Sequence, residues 1–215
     1  DKTSVPKIQL FEDALAREGD FSTAAHELAH AFQYAYMGNY LDSTVSWIWW
    51  MEGSATWMTT YSGEDRGKFS VRVNDYGQSA RLALHHDVID FLDDEAGYHM
   101  YGTAAVASYL ADQFGPESVR STWEYGADQS GERIFFSEAI EAQGLDFRDF
   151  WEGYLAHVAV FDFTGGADVH SAPEVVAEIA LMPADGTVPP EEGPEGLGLS
   201  LIRFPSSAAD PGHTT

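Results

Sequence analysis

The chain has 215 residues, 44% of them hydrophobic and 13% aromatic, which is enough for one substantial hydrophobic core. It carries 35 acidic residues against 11 lysines and arginines, a formal charge of −24, and this charge disfavours nucleic acid as a partner. Cysteine is absent, which excludes disulfides and thiolate ligands, and no apolar run is long enough for a membrane span.

Helix and strand signals follow in chain order. They predict an edge strand at 7–11, a helix at 12–17, a helix at 23–37 capped by Ser22 or Thr23, and a tryptophan-rich helix at 44–61. Tyr101-Gly102 opens a helix at 103–114 that Gly115-Pro116 ends, and further helices are predicted at 117–125, 132–142 and 147–161. Strands are predicted near 175–181 and 197–204, on either side of a link rich in proline and glycine.

These elements predict a fold that is mainly α (α+β). Residues 1–168 would form a helical domain, and residues 169–215 a C-terminal β appendage that we interpret as the start of a β-sandwich module. Four tryptophans of the helix at 44–61 are predicted to belong to the core: Trp47, Trp49, Trp50 and Trp57.

The helix at 23–37 contains the motif His26-Glu27-Leu28-Ala29-His30. Residues four apart lie on one face of a helix, so the two imidazoles can close on a single metal ion. Glu27, one position round the helix, is then placed to act as general base towards an attacking water. The alternative is a solvated histidine pair, but the mid-helix position favours a catalytic Zn²⁺ site.

Catalytic zinc usually takes three protein ligands, so a third ligand is required. A third histidine six residues after the second, as in the metzincins, is absent because Tyr36 stands there. Asp42 falls on a predicted loop, whereas Glu52 is mid-helix. We therefore predict that His26, His30 and Glu52 bind the metal.

These residues resemble the gluzincins, the thermolysin-like class of HExxH zinc metallopeptidases whose second helix supplies a glutamate. A closer resemblance is to a group of secreted, mostly uncharacterised bacterial and archaeal proteins classed as metalloproteases, with HExxHxxQ, WxxEGxAxW and Tyr-Gly helix motifs. The matching segments are His26–Gln33, Trp49–Trp57 and Tyr101-Gly102, and the likeness extends over about residues 20–163. It implies a zincin-like helical catalytic domain.

The resemblance also suggests roles outside the ligand set. Where thermolysin has an aspartate that steadies a zinc-bound histidine, this chain has Thr56, whose hydroxyl could accept an imidazole N–H instead. A hydrogen-bond donor for the oxyanion is also needed. By its position in the family pattern Tyr101 is the first choice, with Tyr98 and His99 as alternatives.

The combined motifs predict a zinc-dependent peptidase, most simply an endopeptidase, acting on a peptide or protein substrate. Two alternatives stay open: a catalytically inactive adhesion or interaction module of a larger surface protein, and a zinc hydrolase of non-peptide substrates. Glu27 binds no metal and would be free to change in a purely structural site, which favours catalysis.

The net charge and the first residue of the sequence give indications of the protein's environment and location. The acids are spread along the chain, which indicates a halophilic organism more strongly than an ordinary acidic secreted protein. The sequence begins at Asp1, with neither an initiator methionine nor a signal peptide. We expect a processed piece of a longer secreted or cell-surface chain, with further domains of that chain as neighbours.

Overall fold

The computed structural model describes residues 21–37, 48–61, 67–80, 82–84, 98–128, 136–160, 175–178 and 201–203. This part of the chain is mainly helical, as the sequence predicts. Its helices are α1 (Phe21–Met37), α2 (Ile48–Met58), α3 (Gly67–Ser79), α4 (His99–Gly102), α5 (Ala104–Phe114), α6 (Pro116–Asp128), α7 (Phe136–Glu141) and α8 (Phe147–Val160). A 3₁₀ turn, Thr59–Tyr61, continues α2.

The helix boundaries agree closely with the sequence prediction, with small differences at the ends. Helix α1 begins at Phe21, so Ser22 and Thr23 lie in its first turn and not before it. Gly115 follows α5 with a positive φ of 89°, a backbone conformation that glycine adopts readily and other residues rarely do. The strand and helix predicted at 7–11 and 12–17 lie outside the described residues, as does Trp47.

Helix α3 is an element that the sequence analysis did not identify. Its inward face carries Phe69, Val73, Tyr76 and, just beyond its end, Ala80, all of them at most 2% exposed. This spacing is helical, but the segment also contains two glycines, two valines and an asparagine, which are poor helix formers. Packing of the apolar face therefore decides its structure.

Helix α2 lies at the centre of the helical assembly and contacts α1, α4 and α5. Trp49, Trp50 and Trp57 are all buried, which confirms their predicted place in the core. The indole N–H of Trp50 donates to the Thr122 hydroxyl of α6 at 3.0 Å, so this buried polar atom is satisfied.

Two glycines allow the short helix α4 to sit between α2 and α3. A Cβ on Gly53 would collide with the Thr103 hydroxyl at the junction of α4 and α5, and a Cβ on Gly102 would collide with Tyr76 of α3. Only glycine permits such close approach of two backbones. Since Gly53 follows Glu52 and Gly102 follows Tyr101, this packing brings the predicted third ligand and the predicted oxyanion donor towards each other.

The C-terminal part contributes two short strands, β1 (Val175–Glu178) and β2 (Leu201–Arg203), which pair in parallel. Val175 is opposite Leu201 and Glu178 is opposite Arg203. None of the described helices is both long and apolar enough to cross a membrane.

Candidate metal centre

Helices α1 and α2 bring His26, His30 and Glu52 together. His26 Nε2 lies 3.0 Å from Glu52 Oε2 and 3.0 Å from His30 Nε2, and His30 Nε2 lies 3.5 Å from Glu52 Oε2. The histidine rings meet edge to face, with their planes at 90°. Each side chain is about 15% exposed, so the cluster is shielded but remains open to solvent. This group can hold a metal ion.

The geometry of the three ligand atoms matches the donor set of a tetrahedral metal. Zn–N and Zn–O bonds of about 2.0–2.1 Å at tetrahedral angles place ligand atoms roughly 3.3 Å apart. The observed separations of 3.0 to 3.5 Å bracket this distance. All three atoms have lone pairs, so either a metal ion or protons that the histidines donate to Glu52 must lie among them.

Gln33, one helical turn after His30, fixes the orientation of that imidazole. Its amide nitrogen donates to the Met51 carbonyl and to the Ser54 hydroxyl, both at 3.0 Å. A carbonyl can only accept, so the amide oxygen must face His30 Nδ1, which lies 2.7 Å away. Nδ1 of His30 therefore carries the proton, and in the neutral ring Nε2 directs its lone pair at the cluster.

Ser54 completes this chain of hydrogen bonds between the two helices. Its hydroxyl accepts from Gln33 and donates to the Trp50 carbonyl at 2.7 Å. Gln33 is 4% exposed and Ser54 is 2% exposed, so these bonds are held away from water. A buried and fully satisfied polar network of this kind fixes the relative positions of α1 and α2.

The electrostatics of the cluster favour a negative carboxylate facing a cation. Burial alone would raise the pKa of the Glu52 carboxyl, but hydrogen bonds from His26 and His30 outweigh it and lower the pKa to about 2. Burial alone would lower the pKa of His30, but its contacts with Glu52 and Gln33 outweigh it and raise the pKa above 6.5. Glu52 is thus an anion at neutral pH.

Glu27 and Tyr101 border the cluster. The Glu27 side chain is exposed on α1, and its negative charge contributes to raising the pKa of both His30 and Tyr101. The Tyr101 ring lies 5.9 Å from the His26 ring, centroid to centroid. Burial raises the pKa of the Tyr101 phenol, and the charges of Glu52 and Glu27 raise it further, so the hydroxyl keeps its proton at neutral pH.

The alternative oxyanion donors differ in availability. His99 is 2% exposed, with Nε2 donating to the Ala83 carbonyl at 3.0 Å and Nδ1 lying 2.9 Å from the Ser79 hydroxyl. Both of its ring nitrogens are therefore engaged by the fold. Tyr98 is exposed, and its ring lies 6.4 Å from that of Tyr101.

The hypothesis that Thr56 steadies an imidazole is not supported. Its hydroxyl oxygen is buried and has no hydrogen-bond partner in the described part of the chain. Gln33 accepts the His30 N–H instead. The sequence already contained this signal, because Gln33 is three residues after His30 and so lies on the same helical face.

Two further features near the cluster were not predicted. Arg72 of α3 places its guanidinium 3.9 Å from the Tyr98 ring centroid and 5.4 Å from that of Tyr101. A cavity of about 530 Å³ borders Gln33 and Ser54 and is lined mainly by apolar side chains, including Trp57 and Trp123. None of the predicted site residues lines this cavity. It is therefore not where a substrate would meet the cluster.

Comparison of the chain with known protein families, with curated proteins and with solved structures finds no match.

Proposed function

We propose that this protein is a zinc-dependent peptidase, with His26, His30 and Glu52 as the metal ligands and Glu27 as the general base. The observation that carries the proposal is the triangle of three lone-pair donors, 3.0 to 3.5 Å apart, with an exposed carboxylate one residue along the same helix. A group of two imidazoles and one carboxylate is the ligand set of an open, catalytic zinc site. The motif resemblance to the gluzincins supports the same assignment.

The chemistry divides between the metal and the side chains. Zinc bound at these ligands would lower the pKa of water and polarise the scissile carbonyl. Glu27 removes a proton from the attacking water as its oxygen bonds to the carbonyl carbon. Glu27 then delivers that proton to the amide nitrogen as the C–N bond breaks. The Tyr101 hydroxyl donates a hydrogen bond to the carbonyl oxygen as negative charge develops on it.

Replacing Glu27 with glutamine tests this proposal most directly. The amide cannot accept the proton, so hydrolysis of a quenched fluorescent peptide library should fall about 100-fold or more. Zinc content, measured by elemental analysis, should stay at one ion per chain. Glu141→Gln is the matched control, because Glu141 is an exposed glutamate of α7 and the substitution removes the same charge.

The outcomes separate the rival functions. A Glu27→Gln protein that keeps more than roughly a tenth of the parental turnover would refute the role of Glu27 as general base. A parent that binds zinc but cleaves no peptide would favour the inactive adhesion or interaction module. A parent that cleaves ester or other amide substrates but not peptides would favour the hydrolase of non-peptide substrates.

The proposal also covers where the protein acts and which module follows the catalytic domain. The charge supports a saline environment, because the chain has 35 acidic residues and only 11 lysines and arginines, and salt would screen their repulsion. The resemblance to secreted proteins supports a location outside the cell or on the cell surface. The β1–β2 pair would belong to a β module, residues 169–215, that follows the catalytic domain, since two strands of this length are not stable alone.

A further inference from the structure

Arg72 places a positive charge at the edge of the candidate metal centre. Its guanidinium lies over the Tyr98 ring and 5.4 Å from the Tyr101 ring centroid, and the Tyr101 ring is itself 5.9 Å from that of His26. A single tyrosine ring thus separates the guanidinium from a metal ligand. Glu27 and Glu52, the acidic residues of the site, are close enough to raise the pKa of that same tyrosine.

The position of Arg72 is fixed by close packing of the two backbones. A Cβ on Gly102 would lie only 2.7 Å from the Arg72 carbonyl oxygen, so α4 and α3 are in direct contact at this residue. The guanidinium then stacks on Tyr98, an arrangement that stabilises a cation and leaves its edge N–H groups accessible.

Arg72 also differs from the other arginines whose side chains the structure describes. Arg148 lies 2.8 Å from a carboxylate, and Arg120 has two carboxylates at 2.8 and 3.1 Å. Among the described residues, Arg72 has a single carboxylate partner, Asp75, at 3.4 Å. Its side chain is nevertheless only 31% exposed, against 54% for Arg120 and 85% for Arg148. The least exposed of the three therefore has the longest ion pair, and most of its five donors are unused among the described residues.

We propose that Arg72 binds a carboxylate of the substrate and so determines specificity. This inference rests on the proposed peptidase function. A planar guanidinium with a free edge suits bidentate binding of a carboxylate. In a protein with a charge of −24 and two glutamates at the site, an anionic substrate is otherwise repelled. The carboxylate is either the C-terminus of a peptide or an acidic side chain beside the scissile bond.

Matched peptides show whether Arg72 binds the C-terminal carboxylate of the substrate or an acidic side chain. One pair differs only in a free or amidated C-terminus, and a second pair differs only in glutamate or glutamine beside the scissile bond. The parent should cleave one carboxylate-bearing member with kcat/KM about 10- to 100-fold above its neutral partner, the range of a charge-assisted hydrogen bond. Arg72→Gln should abolish that preference, because kcat/KM should fall more for the carboxylate-bearing peptide than for its neutral partner.

Two further variants separate the shape of the guanidinium from its charge. Arg72→Lys keeps the positive charge but loses the two parallel N–H donors of the guanidinium, so it should retain part of the preference for the carboxylate. Arg148→Gln removes a charge from an exposed arginine of α8 and should leave the preference intact. A parent without any preference, or an Arg72→Gln protein that loses activity equally on all peptides, would overturn the proposal.

A binding measurement separates this inference from the peptidase proposal. The Arg72 Nε–H resonance is followed while zinc-loaded protein is titrated with an N-acetylated dipeptide bearing the preferred carboxylate or its amide. The acid should shift that resonance and bind about tenfold or more tightly than the amide, and the difference should vanish in Arg72→Gln. Binding without any hydrolysis would leave Arg72 as a ligand-binding residue and reject the peptidase. Equal binding of acid and amide would reject the role of Arg72.

Discussion

His99 and His30 are both anchored through one ring nitrogen, and they differ at the other. His99 donates from Nε2 to the Ala83 carbonyl, and its Nδ1 faces the Ser79 hydroxyl, which has a proton to give. His30 is held at Nδ1 by Gln33, and its Nε2 faces His26 and Glu52. The hydrogen bonds of His99 are completed by the fold, whereas Nε2 of His30 faces an imidazole nitrogen and a carboxylate oxygen that can both bind a metal ion.

This difference shows what marks a candidate metal ligand in the molecule. Burial alone does not, because His99 at 2% exposure is more buried than either histidine of the cluster. The mark is a ring nitrogen that faces other potential metal ligands, here an imidazole and a carboxylate. We therefore expect mutations at the two positions to act on different properties, metal affinity in one case and stability in the other.

Replacing His30 with alanine should have the largest effect, and the effect should fall on the metal. Loss of a direct ligand should weaken zinc binding by more than about 100-fold, the upper end for partners outside the coordination sphere. Its effect on the free energy of unfolding of the metal-free protein should be smaller, and confined to the pH range in which His30 binds a proton. Competition with a chromophoric chelator measures the affinity. Retention of the parental affinity would contradict the ligand assignment.

Replacing His99 with alanine should reverse that pattern. The substitution leaves a cavity beside Tyr76 and removes the hydrogen bonds of His99 with Ala83 and Ser79, so the free energy of unfolding should fall by about 2–4 kcal/mol. Urea unfolding of the metal-free protein measures this loss. Zinc affinity of the folded protein should stay within about threefold of the parent. If zinc binding instead falls as far as in His30→Ala, the comparison of the two histidines is wrong.

A smaller effect on metal affinity is expected at Gln33. Replacing it with alanine frees the His30 ring to rotate or change tautomer, which should weaken zinc binding about 10- to 100-fold. Imidazole nitrogen chemical shifts of His30 should show a mixture of tautomers where the parent shows one. Gln143→Ala is the control, because Gln143 also donates from its amide to a main-chain carbonyl, that of Ala139, and lies far along the chain. A single unchanged tautomer in Gln33→Ala would remove Gln33 from this role.

The sequence allowed the helices and the candidate metal ligands to be predicted because their signals are local. HExxH needs only the helical period, and Gly115-Pro116 is a local stop signal. Helix α3 was missed because its composition is unfavourable and its order comes from contacts with α4. Arg72 was missed with it, since nothing in the sequence says that residue 72 meets residues 98 and 101.

The two motif glycines could be recognised in the sequence, but the contacts that require them could not. Glu52-Gly53 and Tyr101-Gly102 were identified as parts of motifs, but the reason for each glycine lies in a contact distant in sequence. Gly53 admits the Thr103 hydroxyl and Gly102 admits Tyr76. A family pattern can therefore identify a residue correctly and give no indication of what it touches.

The pH dependence of stability should show the smallest effect, and it depends on His30 and Glu52. The pKa of Glu52 is lowered from 4.5 to about 2, so its contribution is present above pH 4.5 and is lost as the pH falls towards 2. The pKa of His30 is raised above 6.5, so its contribution is present below pH 6.5 and is lost as the pH rises through the folded-state value. The pair therefore stabilises the metal-free protein most between pH 4.5 and 6.5.

The unfolding free energies of chelator-treated parent and His30→Ala, each measured at about pH 5.5 and about pH 8.5, isolate this contribution. The parent should lose more stability over that interval than the variant, because only the parent has the His30 proton that Glu52 stabilises at the lower pH. Zinc should reverse the trend, because it binds the unprotonated nitrogen and its affinity rises over the same interval. Equal losses in the two metal-free proteins would mean that His30 does not share a proton with Glu52, and the argument for a cation between them would lose its electrostatic support.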